Sequence, residues 1–228
     1  MVVVGRCSFP CLRLLAVLLA VGSLVACGAP SARTAYPLHR SVIATVFWVG
    51  EPPSRDNDYI GNDASAWDDH WRQHFGGMDD PNRRQHGGYW PAGFRPRQNP
   101  FYVALPYGEF TDSGYVRADV DKVYWYDPKH PPTDRSILAG RWVRVILDGR
   151  SAYLQWADVG PFQEDDVDYV FGTRPPIDKR AGIDLSPAAA RYLGVPGKAR
   201  VSWQFVDEDQ VPAGPWTEIT TPSGIPVG

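Results

Sequence analysis

Two short motifs place an aspartate where an apolar strand gives way to a turn. Asp158 lies in the first motif, Trp-Ala-Asp-Val-Gly-Pro-Phe over residues 156–162, and Asp184 lies in the second, Gly-Ile-Asp-Leu-Ser over residues 182–186. If the two strand ends meet, the two carboxyl groups share one patch of surface. An apolar surround or a second carboxylate disfavours the ionised form, so such a group can serve as an acid and then as a base near neutral pH. The pair predicts a site for acid–base chemistry.

Both aspartates also have a structural interpretation. Asp158 precedes a Gly-Pro turn, where an aspartate commonly accepts backbone N–H bonds that fix the turn. Asp184 lies two residues before Ser186, the predicted N-cap of a helix, where a carboxylate favours the positive helix end. The sequence favours the structural role for Asp184. For Asp158 the structural and catalytic roles stay equally open.

Local sequence motifs predict the hairpin and the helix that position the two aspartates. Residues 141–147 and 150–156 are strand-like and flank Asp148-Gly149, a dipeptide that tolerates the positive φ angles of a two-residue hairpin turn. The second arm of this hairpin leads to Asp158. A short helix follows Asp184, with Ser186 as its N-cap, proline as its first residue and Gly194 as its C-terminal stop.

Further β-branched and aromatic runs predict additional strands. They cover residues 41–49, 99–106, 122–126 and 198–206. Residues 51–98 form an irregular insertion with one helix, which capping-box spacing predicts to start at Ser65 and in which aromatic residues recur every four positions, at Trp67, Trp71 and Phe75. Many strands and few short helices predict a mainly β fold, a small closed barrel.

Two clusters could hold a metal ion, but a solvated surface is the favoured interpretation of each. His70 and His74 are four residues apart, which is a metal-binding spacing, yet no glutamate follows His70 and no third ligand is evident. The acidic residues Glu164, Asp165, Asp166 and Asp168 could gather calcium, but their spacing matches no defined loop. We therefore expect neither a metal nor another cofactor.

The first 26 residues read as a secretory signal rather than as part of the fold. Arg6 and Arg13 precede an apolar run over residues 14–21, which is too short for a spanning helix. The closing Leu-Val-Ala-Cys resembles the bacterial lipoprotein box, which implies acylation of Cys27 after cleavage. We expect an exported protein, lipid-anchored to a bacterial membrane and facing the periplasm or the surface. The alternatives are an ordinary signal peptide with a chance cysteine and a simple membrane anchor.

Composition agrees with one exported domain. The formal charge is −3, which does not suggest a nucleic-acid partner. The other two cysteines, at positions 7 and 11, leave with the signal, so no disulfide is expected and aromatic packing must supply stability. The predicted organisation is a tether over residues 27–40, a barrel over 41–206 and a Pro/Gly-rich tail over 207–228.

Several of these segments together resemble the rare lipoprotein A family. The similar segments are residues 140–145, 148–150, 158–162 and 183–194. The resemblance implies a six-stranded double-psi β-barrel, which that family shares with expansins, barwin-like proteins and murein transglycosylases. It implies that Asp158 matches the family's catalytic or glycan-contacting aspartate and that Asp184 matches the aspartate before the helix.

The chain departs from the family pattern at two points. Val159 stands where the family has arginine, and the stretch before the hairpin lacks the histidine of the cell-wall-cleaving members. Glu109 and Asp112 are candidates to replace that histidine. Candidate substrate-binding residues are Trp156, Phe162, Tyr107 and Glu109. Trp48, Trp90 and Trp125 could also stack on sugar rings, although a place in the core is favoured for most of these aromatic residues.

We therefore expect a cell-envelope lipoprotein whose barrel binds the glycan strands of peptidoglycan. A cleaving version would use one carboxyl group in transglycosylation or an opposed pair in hydrolysis. The alternative is a non-catalytic structural or protein-binding lipoprotein that docks through the insertion. An open groove beside Asp158 favours the first expectation, and a groove plugged by Trp67, Trp71 or Phe75 favours the second.

Overall fold

The computed structural model describes residues 36–133 and 135–222. The predicted signal, Cys27 and most of the predicted tether lie outside these residues. Within the described part of the chain, no helix has the length and apolar character needed to cross a membrane. The strands are β1 (His39–Val46), β2 (Arg84–Gln85), β3 (Trp90–Pro91), β4 (Tyr102–Leu105), β5 (Trp142–Leu147), β6 (Arg150–Val159), β7 (Ile183–Leu185) and β8 (Ala199–Val206). The α-helices are α1 (Trp71–Phe75), α2 (Val167–Val170) and α3 (Pro187–Leu193).

Six of these strands close into a barrel. Their order is β1-β7-β4-β6-β5-β8, and β2 and β3 form a separate two-stranded ribbon within the insertion. The pairs β1/β7 and β4/β6 are parallel, and the other four pairs are antiparallel. This confirms the predicted fold class, a mainly β, six-stranded double-psi barrel with a helix-containing insertion and one short helix before the last strand.

The predicted hairpin turn at Asp148-Gly149 and the predicted helix capped by Ser186 both have the expected geometry. Asp148 and Gly149 have φ angles of 48° and 79° and connect β5 to β6 in direct register. The Ser186 hydroxyl accepts the Ala189 N–H at 3.2 Å, and Gly194, with φ of 81°, ends α3. Both features depend on a few adjacent residues, which explains why the sequence alone locates them.

The predicted strand over residues 122–126 is wrong. A 3₁₀ turn, Val120–Lys122, occupies its start, and the rest of the segment lies outside the sheets. The Trp125 ring instead packs against Phe205, with centroids 5.1 Å apart, and lies under the Arg141 guanidinium at 4.5 Å. Aromatic residues there cover the barrel rather than extend it.

The insertion helix is shorter than predicted. It begins at Trp71 and not after Ser65, because Ser65 and Asp68 form a tight turn whose backbone groups bond to each other. The Asp68 carboxylate accepts the His70 N–H at 3.0 Å, which ends that turn immediately before α1.

Residues pointing inward from the barrel strands form the main core. The alternation of inward and outward side chains along each strand brings them together. Buried members include Val103, Leu105, Val143, Val145, Leu154, Trp156, Ile183, Leu185, Val201 and Trp203.

A second core lies between the barrel and the insertion. Tyr102 and Ala104 alternate with the inward residues of β4, and the insertion covers them with Trp71 and Phe75 of α1. The ring centroids of Trp71 and Tyr102 lie 5.4 Å apart. As a result β4 is buried on both faces, which accounts for its uninterrupted apolar sequence.

A buried polar network fixes the insertion to the barrel. The Tyr102 hydroxyl donates to Asp79 Oδ2 at 2.8 Å and accepts the Val49 N–H at 3.1 Å. Asp79 also forms an ion pair with Arg84, and the side chains are 0% and 7% exposed respectively. Removing one member of a buried pair leaves the other charge without compensation.

We predict that Asp79→Asn destabilises the protein by about 3–5 kcal/mol, because it leaves the Arg84 guanidinium buried without its counter-charge. Urea unfolding followed by tryptophan fluorescence measures the loss. Asp69→Asn, at an exposed site in the same insertion, is the matched control and should change stability by less than about 0.5 kcal/mol. Equal effects of the two substitutions would contradict a stabilising role for the network.

Candidate functional site

A row of four residues crosses the barrel surface and contains both predicted aspartates. Thr45 of β1 pairs with Asp184 of β7, Asp184 pairs with Ala104 of β4, and Ala104 pairs with Asp158 of β6. Residues in register on neighbouring strands point to the same face of a sheet. The two aspartates therefore flank a small alanine, with their Cα atoms about two strand spacings, or ~9.5 Å, apart.

A β-bulge brings Asp158 into this row. Trp156 pairs with Val103, and the next pair along the strands joins Asp158 to Ala104, so Ala157 is an extra residue in β6. Strict alternation would place Asp158 on the same side as Trp156, which is in the barrel interior. The extra residue turns Asp158 outward, consistent with the role of bulges in reorienting side chains near functional sites.

Asp158 is a partly exposed carboxyl group with two backbone partners. Its Oδ1 accepts the Ala66 N–H and the Val159 N–H, each at 2.8 Å. Burial raises the pKa of Asp158 to about 7, the two N–H bonds oppose the increase, and the negative charges of Asp184 and Glu164 add to it. The group can therefore hold or release a proton near neutral pH.

Asp184 has a similar but smaller shift. Burial raises the pKa of Asp184 to about 6, and the hydrogen bond donated by the Thr45 hydroxyl opposes the increase. The side chain is partly exposed, because it points away from the core between the inward residues Ile183 and Leu185. The structure thus brings the two aspartates onto one face, as their motifs predicted.

Both aspartates open onto a groove with a volume of about 780 Å³. Trp71 and Phe75 belong to the second core, and Trp67 is buried against Trp156 with ring centroids 5.8 Å apart. The groove beside Asp158 is therefore open. Its lining includes Thr45, Trp48, Glu51, Ala104, Asp158 and Asp184.

Asp158 also borders a neighbouring cavity of about 570 Å³. This cavity lies between residues 58–67 of the insertion and residues 108–114. The hydrogen bond from the Ala66 N–H to Asp158 Oδ1 lies at the boundary between the groove and this cavity. Asp158 thus lies part-way along an extended depression rather than at its end.

Glu51 is a third carboxyl group that the sequence did not reveal. It lines the groove, is 8% exposed, and accepts a hydrogen bond from Asn62 Nδ2 at 3.1 Å. Burial raises the pKa of Glu51 to about 7, and the charge of Asp184 adds to the increase. Because Glu51 follows Gly50 and precedes two prolines, its sequence context indicates only the end of a strand.

Two predicted substrate-binding aromatic residues are buried, which contradicts direct contact with a substrate. Trp156 is 0% exposed in the barrel interior, and its Nε1 donates to the Asp158 carbonyl oxygen at 2.8 Å. Tyr107 is also 0% exposed, and its hydroxyl donates to Asp119 Oδ1 at 3.1 Å. Large aromatic area is most effective in stabilising a barrel without disulfides when it is buried.

Glu109 is likewise buried, which corrects its predicted contact with a substrate. Its side chain accepts hydrogen bonds from Trp67 Nε1 and from the Ile137 N–H, both at 2.9 Å, and from the Ser136 hydroxyl. These bonds hold residues 65–67 and 136–139 against the barrel, so Glu109 is structural. Asp112, the other candidate to replace the family's histidine, is exposed and lines the second cavity.

Two of the remaining aromatic candidates line the groove. Trp48 and Phe162 are both half-buried there, and the Arg180 guanidinium lies 3.6 Å from the centroid of the Phe162 ring. Trp90 instead stacks on a histidine of the insertion, and Trp125 covers one part of the barrel. Both residues therefore line the groove, and their contact with a ligand stays a prediction.

The possible metal ligands are engaged in other contacts. His74 Nδ1 lies 2.8 Å from Asp68 Oδ1, and the His70 ring is 6.0 Å from the His74 ring. Asp166 accepts a backbone N–H, and Asp168 pairs with two cationic side chains. In the described part of the chain, no group of three or more His, Cys, Asp or Glu side chains is arranged to hold a metal ion.

Comparison with known proteins leaves the family open. No protein-family model matches the chain, and no curated protein matches it in sequence. Among solved structures, it is similar to Streptomyces papain inhibitor (SPI), with 17% identity, a TM-score of 0.30, and coverage of 75% of this chain and 96% of that chain. A similarity this distant carries no functional argument, so the site stands on its own geometry.

We predict that Asp158→Asn removes a pH-dependent loss of stability. The folded-state pKa is about 7 against an ordinary value of 3.8. The unfolded chain therefore releases this proton first as the pH rises, and stability falls up to the folded-state pKa. Because asparagine does not titrate, the variant should gain stability relative to the unsubstituted protein between pH 4 and pH 8.

Urea unfolding at pH 4, 6 and 8 measures this difference. Asp112→Asn, which makes the same replacement at an exposed position, is the matched control. A constant difference between Asp158→Asn and the unsubstituted protein across this range would contradict the raised pKa.

Proposed function

We propose that the groove binds the glycan strands of peptidoglycan and that its paired carboxyl groups cleave them. The observation that carries this proposal is the placement of Asp158 and Asp184 on one open face, flanking Ala104, with raised pKa values. The bacterial lipoprotein box and the resemblance to rare lipoprotein A supply the expected setting, the cell envelope.

The shape of the depression favours an extended polymer. Cavities of about 780 and 570 Å³ meet at Asp158, so a chain-like ligand can continue on both sides of this carboxyl group. Trp48 offers an apolar face to a sugar ring, and Phe162, whose ring packs under the Arg180 guanidinium, adds apolar area to the groove. The carboxyl groups can accept hydrogen bonds from sugar hydroxyls. This combination of apolar and acidic groups suits a polyhydroxylated chain.

In the proposed transglycosylation, Asp158 acts first as an acid and then as a base. Its protonated carboxyl group donates a proton to the glycosidic oxygen as the bond to the anomeric carbon breaks. The resulting carboxylate then accepts the proton of the sugar hydroxyl that attacks the same carbon, which forms an anhydro ring and restores the acid. One carboxyl group with a pKa near neutrality is sufficient for both steps.

Hydrolysis by an opposed pair is the other possible reaction at the same groove. The Cα atoms of Asp158 and Asp184 are separated by about two strand spacings, ~9.5 Å. That spacing favours the wider carboxyl separation of inverting glycosidases, about 6.5–9.5 Å, over the separation of about 5–5.5 Å in retaining ones. Reducing ends would then appear in place of anhydro sugars.

A non-catalytic, protein-binding role is the second candidate. It is favoured by the exposure of Tyr59 and Ile60, which are 71% and 59% exposed on the insertion. Exposed apolar side chains at a loop tip are typical of contact surfaces between proteins.

We predict that Trp48→Ala weakens binding to insoluble peptidoglycan about tenfold, because it removes an aromatic face from the groove. Co-sedimentation of the purified full chain measures the affinity. Trp90→Ala, which truncates a half-buried tryptophan outside the groove, should leave binding unchanged. Equal losses in both variants would place the binding surface elsewhere.

We predict that Asp158→Asn abolishes release of soluble sugar fragments from peptidoglycan, while binding in the co-sedimentation assay persists. Mass spectrometry distinguishes anhydro sugars from reducing ends and so identifies the reaction. Asp69→Asn, at an exposed position outside both cavities, provides the matched control. If the unsubstituted protein binds peptidoglycan but releases no fragments, the cleavage step is wrong and the protein is a binding module.

A further inference from the structure

A separate cavity of about 430 Å³ lies where the chain enters the barrel. Residues 37–43 form one wall, and residues 172–182 form the other. The two walls pack closely, since a Cβ atom on Gly182 would lie 2.5 Å from Pro176 and 2.9 Å from Val42. The Tyr169 hydroxyl donates to the Gly182 carbonyl oxygen at 2.9 Å. Among described residues, this cavity and the Asp158 groove have no lining residue in common.

Positive charge is concentrated around this cavity. Four cationic side chains line it, although the whole chain has a net charge of −3. The carboxylate that also lines it, Asp178, forms an ion pair with Arg180 at 2.9 Å, so its charge is compensated. The four cationic residues are Arg40, Arg174, Lys179 and Arg200, and Arg174 forms an ion pair with Asp168 at 3.2 Å.

Two of these cations are positioned by a β-bulge. His39 pairs with Trp203 and Val42 pairs with Val201, so three steps along β1 match two steps along β8. The bulge contains Arg40 and Ser41, and Ser41 has a φ of 56°. Arg200 Nη1 donates to the Ser41 carbonyl oxygen at 2.9 Å, which fixes the Arg200 guanidinium at the bulge that contains Arg40. Bulges are built features that direct side chains.

We propose that this cavity binds the phosphate headgroup of an anionic membrane lipid. Guanidinium and ammonium groups attract phosphate, and guanidinium groups match its geometry. The apolar wall residues Leu38, Pro175 and Pro176 suit the part of a lipid next to its headgroup. Ile177, which lies between two lining residues in the sequence, is 61% exposed and adds apolar surface to the same segment.

The position of the cavity in the chain supports a lipid rather than another anion. The sequence predicts acylation at Cys27, about ten residues before Pro37. Ten extended residues span at most about 35 Å, so an acylated protein would keep this face within that distance of the membrane. Membrane surfaces rich in anionic lipids attract nearby clusters of Lys and Arg. This site is independent of the proposed glycan groove.

Hydrogen–deuterium exchange on the full chain in nonionic detergent micelles tests the proposal. We expect dioleoylphosphatidylglycerol, mixed into the micelles, to slow exchange in residues 37–43 and 172–182. Dioleoylphosphatidylcholine, whose headgroup has no net charge, should give little protection. The double variant Arg40→Ala/Arg200→Ala should raise the half-saturating phosphatidylglycerol fraction about 25-fold. This factor follows because each cation removed near a membrane surface weakens binding about fivefold.

The matched control is Arg83→Ala/Arg150→Ala, which removes the same charge at two exposed positions outside the cavity. It should leave the protection unchanged. Equal protection by phosphatidylcholine, or equal weakening in both double variants, would overturn the proposal. Protection by inorganic phosphate at the same concentration would show that the site takes a free anion, and the lipid assignment would be wrong.

Discussion

The hydrogen-bond register of β4 is the constraint on which the site depends. This strand has only four residues, yet it pairs with β6 on one side and with β7 on the other. Because side chains alternate across a strand, a slip of one residue would replace Ala104 in the row by Val103 or Leu105, which belong to the core. Burial on both faces of β4 makes such a slip costly, so the positions of the two carboxyl groups are strongly determined.

The insertion contributes to the chemistry as well as to stability. Without it, Tyr102 and the neighbouring outward residues of the barrel would face water, and Asp158 would lose the N–H of Ala66. Burial is the main reason that the pKa values of Asp158 and Asp184 are raised, and the Ala66 N–H opposes the increase at Asp158. The same segment that completes the second core therefore contributes lining residues to the groove and a hydrogen bond to Asp158.

Features set by adjacent residues could be predicted from the sequence. The Asp148-Gly149 hairpin, the helix capped by Ser186 and the last strand follow from turn, capping and alternation rules. The meeting of Asp158 and Asp184 was also anticipated, because each motif ends a strand. The strand over residues 122–126 was not distinguishable from an aromatic segment that packs on the barrel, since both have the same composition.

Other parts of the site depend on long-range packing and could not be deduced. Tryptophan, tyrosine and glutamate can contact a sugar or complete a core equally well by residue type, so Trp156, Tyr107 and Glu109 were misplaced. Glu51 belongs to the groove only because the insertion folds back over the end of β1. The bulge at Ala157 has no glycine or proline to indicate it.

That bulge makes the pairing register, rather than the spacing in the sequence, decide which way Asp158 faces. Deleting Ala157 would place the aspartate directly after Trp156, where regular alternation points it outward and pairs it with Ala104. In a diverged relative, an aspartate directly after the inward tryptophan is therefore equivalent to Asp158 without any bulge. An aspartate two positions after that tryptophan is equivalent only where the strand keeps the extra, unpaired residue.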